Sequence, residues 1–319
     1  MATDSLSPAR PALVSVVTAC FNEEGNVREM YEAIKAIFAE LPQYRYEHIF
    51  IDNASKDGTA RILRALAAED PRVKVILNAR NFGHVRSPVY AITQATGDAV
   101  AVLACDFQEP PALIPTFLEH WEAGAKIVVG VKTRSDEPGL FYFVRDRYYK
   151  FLAQIADVGI VNQTTGFGVY DKAVIEGIRR IDDPYPFFRG LLAEIGFEPV
   201  QVPYTQARRL RGITSQNFYS LYDIAFLGIV NHSKVPLRLA AMLGFLMSCL
   251  SFLLTIGYLA AKLLFWDRFQ FGLAPILIGF FFISSLQLFF VGILGEYIGS
   301  IYTQVRHHPL VFEKERINF

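Results

Sequence analysis

The stretch Ala99-Val100-Ala101-Val102-Leu103-Ala104-Cys105-Asp106-Phe107-Gln108-Glu109-Pro110-Pro111 decides the fold, because an apolar run ends abruptly in a carboxylate, an amide and two prolines. An apolar run without alternation suits a parallel strand covered on both faces. Pro110 and Pro111 can open a helix while keeping the residues just before them out of the helical region. Asp106 and Gln108 therefore fall on a short loop at the carboxyl end of a strand, where open α/β sheets bind their ligands. Two oxygen donors one residue apart suit a hard divalent cation bridging a diphosphate. Taken alone, the same residues read equally well as a helix start capped by Asp106.

The strand-then-helix theme repeats on both sides of this stretch. Leu13 to Thr18 is a β-branched run followed by Val27, Met30, Tyr31, Ile34, Ile37, Phe38 and Leu41 on one helical face. His48 to Asp52 precedes a helix after Gly58, Val73 to Leu77 precedes one after Gly83, and the Ala99 strand precedes one after Pro111. Ile127 to Val131 adds a fifth strand. Such alternation predicts an α/β fold with a mostly parallel sheet and right-handed crossovers. The residues at the strand ends form a set: Phe21, Asn22, Glu23 and Glu24; Asp52 to Thr59; Asn78 to His84; then Asp106 and Gln108. Carboxylates, amides and an aromatic on one edge suit a ribose, a base and a metal-bridged diphosphate. Singly, Asp57-Gly58 is a turn, Asn22 or Asp52 a helix cap and His84 a loop histidine. No glycine-rich loop of the dinucleotide or Walker type follows the first strand, which weighs against hydride transfer and ATP hydrolysis.

The chain is composite. Over 319 residues it is 52% hydrophobic with zero formal charge, which removes any case for a nucleic-acid binder. Its mean hydropathy of +0.27 is concentrated after about Asn231. No charge lies between Arg238 and Lys262 or between Arg268 and Glu296, and each gap exceeds the ~20 residues that cross a bilayer core. Two transmembrane helices are predicted, at about 239–262 and 271–297, within a segment 236–302. Buried core helices, apolar all round, are the other reading. Trp266 and Phe269 anchor the short turn between them. Lys234 and Arg238 before the hairpin, with Arg306, Lys314 and Arg316 after it, outweigh Lys262 and Arg268 inside it. The positive-inside bias then puts both termini in the cytoplasm, with 303–319 as a cytoplasmic tail. The polar start Met1 to Pro8 lacks the features of a signal peptide, so the catalytic domain is expected in the cytoplasm on a multi-pass inner (plasma) membrane protein. Residues 216–235 carry Phe218, Leu221, Tyr222, Ala225 and Ile229 at helical spacing, for a helix lying in the interface or packed on the globular domain. Cys20, Cys105 and Cys249 are odd in number and far apart, and indicate neither a disulfide framework nor a zinc site.

These segments resemble inverting glycosyltransferase family 2, and within it the polyprenyl-phosphate glycosyltransferases. The resemblance spans nearly the whole chain. It is carried by Val16 to Glu24, Asp52 to Thr59, Arg80-Asn81-Phe82-Gly83-His84, the Asp-x-Gln-x-Pro-Pro pattern at Asp106, Thr165 to Asp171, and Leu294-Gly295-Glu296-Tyr297-Ile298-Gly299 running on to Tyr302. The resemblance implies a GT-A type, Rossmann-like domain over 1–215. It implies transfer of a sugar from a UDP- or GDP-linked nucleotide sugar to a polyprenyl phosphate, undecaprenyl or dolichyl, in the lipid bilayer, for cell-envelope glycan or lipopolysaccharide modification. Phe21, Asn22, Glu23, Asp52, Asn53 and Asn81 would contact the donor, and Arg209, Arg211 and Gln216 lie in the loop that closes over it. Asp106 and Gln108 would be the catalytic pair holding Mg2+ or Mn2+. Lys132, Arg134 and Arg145 would hold the acceptor phosphate; the bland reading of these three is a solvated basic face drawn to anionic lipid. Self-association into a homo-oligomer such as a tetramer is also implied. The chain departs from the family at Ala104, where many relatives have a first aspartate, and at Ala19, Ile213 and Ser215. Those departures are what a membrane scaffold or transporter subunit with a degenerate transferase domain would show. The Gln-x-x-Arg-Trp motif of polysaccharide-extending relatives is absent.

Overall fold

A computed structural model of the chain describes residues 11–134, 164–206, 235–264, 273–306 and 308–319. Strand β1 (Ala12–Cys20) leads through α1 (Val27–Ala39) to β2 (Tyr44–Asp52), then α2 (Thr59–Glu69), β3 (Val73–Asn78), α3 (Gly83–Gln94) and β4 (Ala99–Ala104). A 3-10 turn at Pro111–Leu113 starts α4 (Ile114–Glu122), and β5 (Ile127–Arg134) follows. These are the strands and helices that the periodicity predicts, each within a few residues. The chain continues with β6 (Thr164–Asp171), α5 (Lys172–Ile181), α6 (Phe188–Ile195), β7 (Pro199–Thr205), α7 (Val235–Leu264), α8 (Leu273–Val305) and β8 (Glu313–Ile317).

All eight of these strands join one sheet in the order β7-β5-β6-β4-β1-β2-β3-β8. The pairings β1 with β2, β1 with β4, β2 with β3 and β5 with β7 are parallel. Strand β6 runs antiparallel to both β4 and β5, and β8 antiparallel to β3. The sheet is thus mixed: six strands share one direction, and β6 and β8 are reversed. Both faces are covered, which is why the strands read as continuous apolar runs. Phe50, Met30, Leu63, Phe117 and Phe167 fill the core on one face, and Ile49, Ile51, Ile92, Tyr170 and Val174 fill the other. Reversal of the connection order between β1 and β4 makes their carboxyl ends the switch point at which open α/β sheets bind ligands.

The closing segment differs from a free tail. After α8 the chain returns to the sheet, where β8 pairs with β3 in the register Val75 with Ile317 and Leu77 with Glu315. Arg64 bonds Glu315 at 2.7 Å, and Arg86 donates to the Pro309 carbonyl at 2.6 Å. Asn318, in the left-handed conformation that asparagine tolerates, donates to the carbonyls of Ala67 at 2.7 Å and Val73 at 2.9 Å. Among the described residues, the helical stretch long and apolar enough to cross a membrane is Phe282–Val305, with a shorter apolar stretch at Leu237–Met247. By that measure one span is found where the sequence predicts two, although α7 and α8 run as long helices through both predicted segments. Of the helix expected at 216–235, all but Val235, which starts α7, lies outside the described residues.

Two outcomes follow from the sheet. Asn318→Ala, which strips both side-chain hydrogen bonds, should lower unfolding free energy by about 1–3 kcal/mol, and a deletion of 308–319 should lower it further, both read by denaturant melts. His48 is fully buried on β2, with Nε2 3.0 Å from Thr18 Oγ1 and, among the described residues, no hydrogen-bond partner for Nδ1. Burial pushes its imidazole down to about 3. The unfolded chain binds that proton more readily, so the stabilisation is full above about pH 6.5 and is lost as pH falls from there toward 3. Melts from pH 7 to pH 5 should show a loss of about 2 kcal/mol that His48→Gln removes.

Candidate active site

Register places the site. Cys20 stands opposite Asp52 across β1 and β2, and Ala19 opposite Ala104 across β1 and β4. The loops that leave these strands therefore begin at one height on one edge of the sheet. Cys20 and Cys105 meet there, 85 residues apart in sequence, as buried free thiols. The hydrogen bond to Cys105 raises the Cys20 thiol well above its ordinary value, with burial acting in the same direction. Such thiols are inert.

The β1 and β2 loops are laced together. Asn22, at φ +57°, donates its N–H to Ser55 Oγ at 2.8 Å and accepts from Lys56 N at 2.8 Å. The Glu23 N–H donates to Thr59 Oγ1 at 2.9 Å, and its carboxylate accepts from Asn26 Nδ2 at 2.5 Å. Glu24 takes the Gly58 N–H at 2.7 Å, and a Cβ at Gly58 would stand 2.6 Å from that same carboxylate oxygen. Phe21 is half-buried beside them. Asp52 is buried, and its oxygens accept the N–H of Ser55 at 3.1 Å and the Ser55 hydroxyl. Burial raises its carboxyl, against the opposing pull of those Ser55 bonds.

Asn53, expected at the donor, makes four hydrogen bonds inside the protein. Its Nδ2 donates to Asn81 Oδ1 at 2.9 Å and to the Gly83 carbonyl at 3.1 Å, and its Oδ1 accepts from Asn78 Nδ2 at 3.1 Å and Phe82 N at 2.9 Å. That uses both donors and both acceptor sites of an amide. Asn53 is thus a hub that shapes the 78–83 loop from behind. Asn81 also accepts the Gly83 N–H at 2.7 Å and is itself exposed.

Beyond β4, Asp106 is buried and accepts the Gln108 N–H at 3.1 Å, which closes a tight turn around Phe107 at φ +57°. The antiparallel insertion of β6 brings Thr164 and Thr165 to this edge, and Val131 of β5 pairs with Thr164. Lys132 lies one residue further along β5, opposite Tyr204, and its charge acts on Glu109. Glu109 is the residue that sequence spacing misses. Read by position, it lies on the wrong side of the pattern to stand in for a carboxylate at Ala104. In the fold its side chain turns back, and Oε2 accepts the Ala104 N–H at 2.8 Å while Oε1 accepts Thr165 Oγ1 at 2.5 Å. Burial raises its carboxyl, opposed by those two bonds and by Lys132. Arg134 ends β5 in register with Thr205. Arg145, Arg209, Arg211 and Gln216 lie outside the described residues.

Asp106 and Gln108 give a carboxylate and an amide oxygen type on one turn, a donor set that suits a hard cation. Among the described residues no group of three or more His, Cys, Asp or Glu gathers that could hold a metal ion alone. The set fits an ion whose shell a diphosphate completes.

A Rossmann-like mixed α/β sheet of GT-A type, with its polar residues collected on the strand-exit edge, defines a class of nucleotide-handling enzymes. Residues 15–179 match Glycosyl transferase family 2, and the chain belongs to that family. It is 33% identical over 297 residues to a bactoprenol glucosyl transferase of Shigella phage SfV, covering 93% of this chain and 96% of that protein. It is also 33% identical over 299 residues to the glycosyltransferase YkcC of Bacillus subtilis (strain 168), covering 93% and 91%. Among solved structures it is similar to the mannosyltransferase PcManGT from Pyrobaculum calidifontis in complex with GDP-Man and Mn2+. That match has 16% identity, a TM-score of 0.47 and coverage of 94% and 88%.

Asn53→Ala should leave the Asn78 and Phe82 donors bare, at about 1–3 kcal/mol for each unsatisfied group. Asn53→Asp keeps the acceptor for Asn78 and Phe82 but turns the donor into a carboxylate oxygen facing Asn81 Oδ1 and the Gly83 carbonyl, so it should also destabilise; thermal melts of both variants check this.

Proposed function

We propose that this glycosyltransferase moves a sugar from a UDP- or GDP-linked donor to the phosphate of a membrane polyprenyl phosphate, inverting the anomeric centre. The observation that carries the reading is the strand-exit edge of a family 2 chain, where Asp52 ends β2 in register with Cys20 and the charges of Asp106 and Lys132 both act on Glu109. Similarity to a bactoprenol glucosyl transferase along nearly the whole of both chains supports the acceptor class.

A phosphate monoester is largely a dianion at pH 7, its second pKa being near 6. Its oxygen needs no strong general base, which accords with a site whose carboxylates are engaged elsewhere. In the proposed step that oxygen attacks the anomeric carbon in line, and the nucleoside diphosphate leaves from the opposite face. Lys132, Arg134 and Arg145 hold the acceptor phosphate and offset its repulsion from the donor diphosphate. Phe21, Asn22, Glu23, Asp52 and Asn81 line the nucleoside end, with Arg209, Arg211 and Gln216 in the loop over it. Asp106 and Gln108 would hold a divalent cation, Mg2+ or Mn2+, which when bound supplies charge stabilisation for the departing diphosphate.

A lipid-linked acceptor calls for a membrane-held enzyme, since each methylene drawn out of the bilayer costs about 0.8 kcal/mol. Helices α7 and α8 expose Phe245, Leu253, Leu288, Phe289 and Ile298, an apolar surface that bilayer contact would cover. The pairing of β8 with β3 supports a hairpin of two spans. A chain that leaves the catalytic domain before α7 and rejoins its sheet after α8 crosses the bilayer an even number of times. With the basic residues flanking that hairpin, the domain and the return strand face the cytoplasm.

The purified, lipid-reconstituted protein, given undecaprenyl phosphate and a panel of UDP- and GDP-sugars, should form a lipid-phosphate sugar that a chelator abolishes. Asp106→Ala should cut turnover at least about 100-fold. Arg145→Ala should raise the KM for lipid phosphate and leave that for donor unmoved. Absence of nucleotide-sugar binding by calorimetry, with Mg2+ or Mn2+ present, would overturn the proposal in favour of a degenerate transferase scaffold.

A further inference from the structure

Glu109 is a carboxylate at 7% exposure beside the similarly buried Asp106, and both of its oxygens are occupied. The bond to the Ala104 N–H closes the loop leaving β4 back upon its own strand. The bond from Thr165 Oγ1 fastens that loop to the start of β6. Between the two anchored ends, Phe107 holds φ +57°, a left-handed conformation that is unfavourable for a bulky residue and persists only where its surroundings over-determine it. The Asp106 bond to the Gln108 N–H lies inside the strained turn and does not tie it to the sheet. Glu109 does.

We propose that Glu109 is a positioning residue, a clamp between β4 and β6 that holds the strained Phe107 turn and so fixes Asp106 and Gln108 where the diphosphate and its cation are bound. Ala104 offers no side-chain acceptor at the end of β4, and the clamp reaches the backbone there instead. The role is one of hydrogen bonding, so a glutamine can fill it: its oxygen accepts from Ala104 N–H and its amide donates to Thr165 Oγ1. The inference rests on the reading of Asp106 as the cation-holding carboxylate.

Mn2+ binding to the full-length protein in nanodiscs, followed by electron paramagnetic resonance with UDP or GDP present and no acceptor, tests the clamp apart from turnover. Glu109→Ala should weaken Mn2+ binding about 10- to 100-fold, the range seen when a partner behind a metal ligand is lost. Thr165→Val should weaken it less, about 3- to 10-fold, as one of two bonds is removed. Glu109→Gln should stay within about threefold of the parent. In steady-state assays Glu109→Ala should lower kcat with the lipid-phosphate KM unmoved. Parent-like Mn2+ binding in both Glu109→Ala and Thr165→Val overturns the clamp, as does Glu109→Gln binding as weakly as Glu109→Ala. Should Glu109→Ala fail to fold, the glutamine and valine variants decide. Asp106→Ala separates the two readings: if it binds Mn2+ like the parent, the assignment of Asp106 itself fails. If it loses Mn2+ while the Glu109 and Thr165 variants keep it, only the clamp fails.

Discussion

The parallel pairing of β1 with both β2 and β4 is the constraint on which the rest of the molecule depends. Hydrogen-bond register in a parallel ladder fixes which residues leave the sheet together, and here Ala19, Cys20, Asp52 and Ala104 do so at one height. Groups more than eighty residues apart in the chain are thereby brought together by the backbone ladder. The thiol pair of Cys20 and Cys105 marks how close the approach is. Insertion of β6 between β4 and β5 then widens the edge, adding Thr165 and Lys132 to a crevice that four parallel strands alone would leave open on that side.

The β3–β8 pairing is the second constraint, and it acts on topology as much as on stability. Edge strands present unpaired backbone groups, and β3 without β8 would be one. The return strand covers that edge with a charged sequence, Glu313-Lys314-Glu315-Arg316-Ile317, whose side chains meet Arg64, Tyr90 and Gln94. It also brings Phe312 within 6.2 Å, ring to ring, of Phe82, the residue whose N–H Asn53 holds. The segment that leaves α8 is thus packed against the loop after β3, and the apolar helices are joined to the site's edge by a few residues of folded chain.

Legibility in the sequence divides along physical lines. Strands β1 to β5 and helices α1 to α4 are legible because each is either a continuous apolar run or a clean helical stripe. The later strands carry no such signal. β6 contains Gly166 and Gly168, which weaken strand propensity, and at Gly168 a Cβ would stand 2.1 Å from the Val128 carbonyl oxygen. β7 contains Pro199 and Pro203, tolerable because it is the outermost strand, and β8 is mostly charged. Within the site, residue type and strand-end position identify Asp52 and Asp106. They do not reveal that the four hydrogen-bonding positions of Asn53 are used internally, nor that Glu109 folds back five residues, since both depend on where loops from different strands meet.

Under the proposed function, the economy of carboxylates at this edge has a thermodynamic consequence. Asp52 accepts from Ser55, Glu23 from Asn26, Glu109 from Ala104 and Thr165, and Asp106 from the Gln108 N–H, so each of these acids is also part of the loop architecture, and the proposed reading gives the cation to Asp106 with Gln108 beside it. A single carboxylate with an amide neighbour gives too few oxygens to satisfy a hard divalent ion, whose shell needs six or so. Cation and diphosphate must then complete each other's coordination, and by reciprocity each raises the other's affinity by the same factor. A site with two or three free carboxylates would bind the ion without the donor and would repel the diphosphate when it is bare. On the proposed reading, engaging the acids in loop hydrogen bonds would make the cation a companion of the substrate and would keep the net charge at this edge low enough for two phosphate-bearing ligands to meet there.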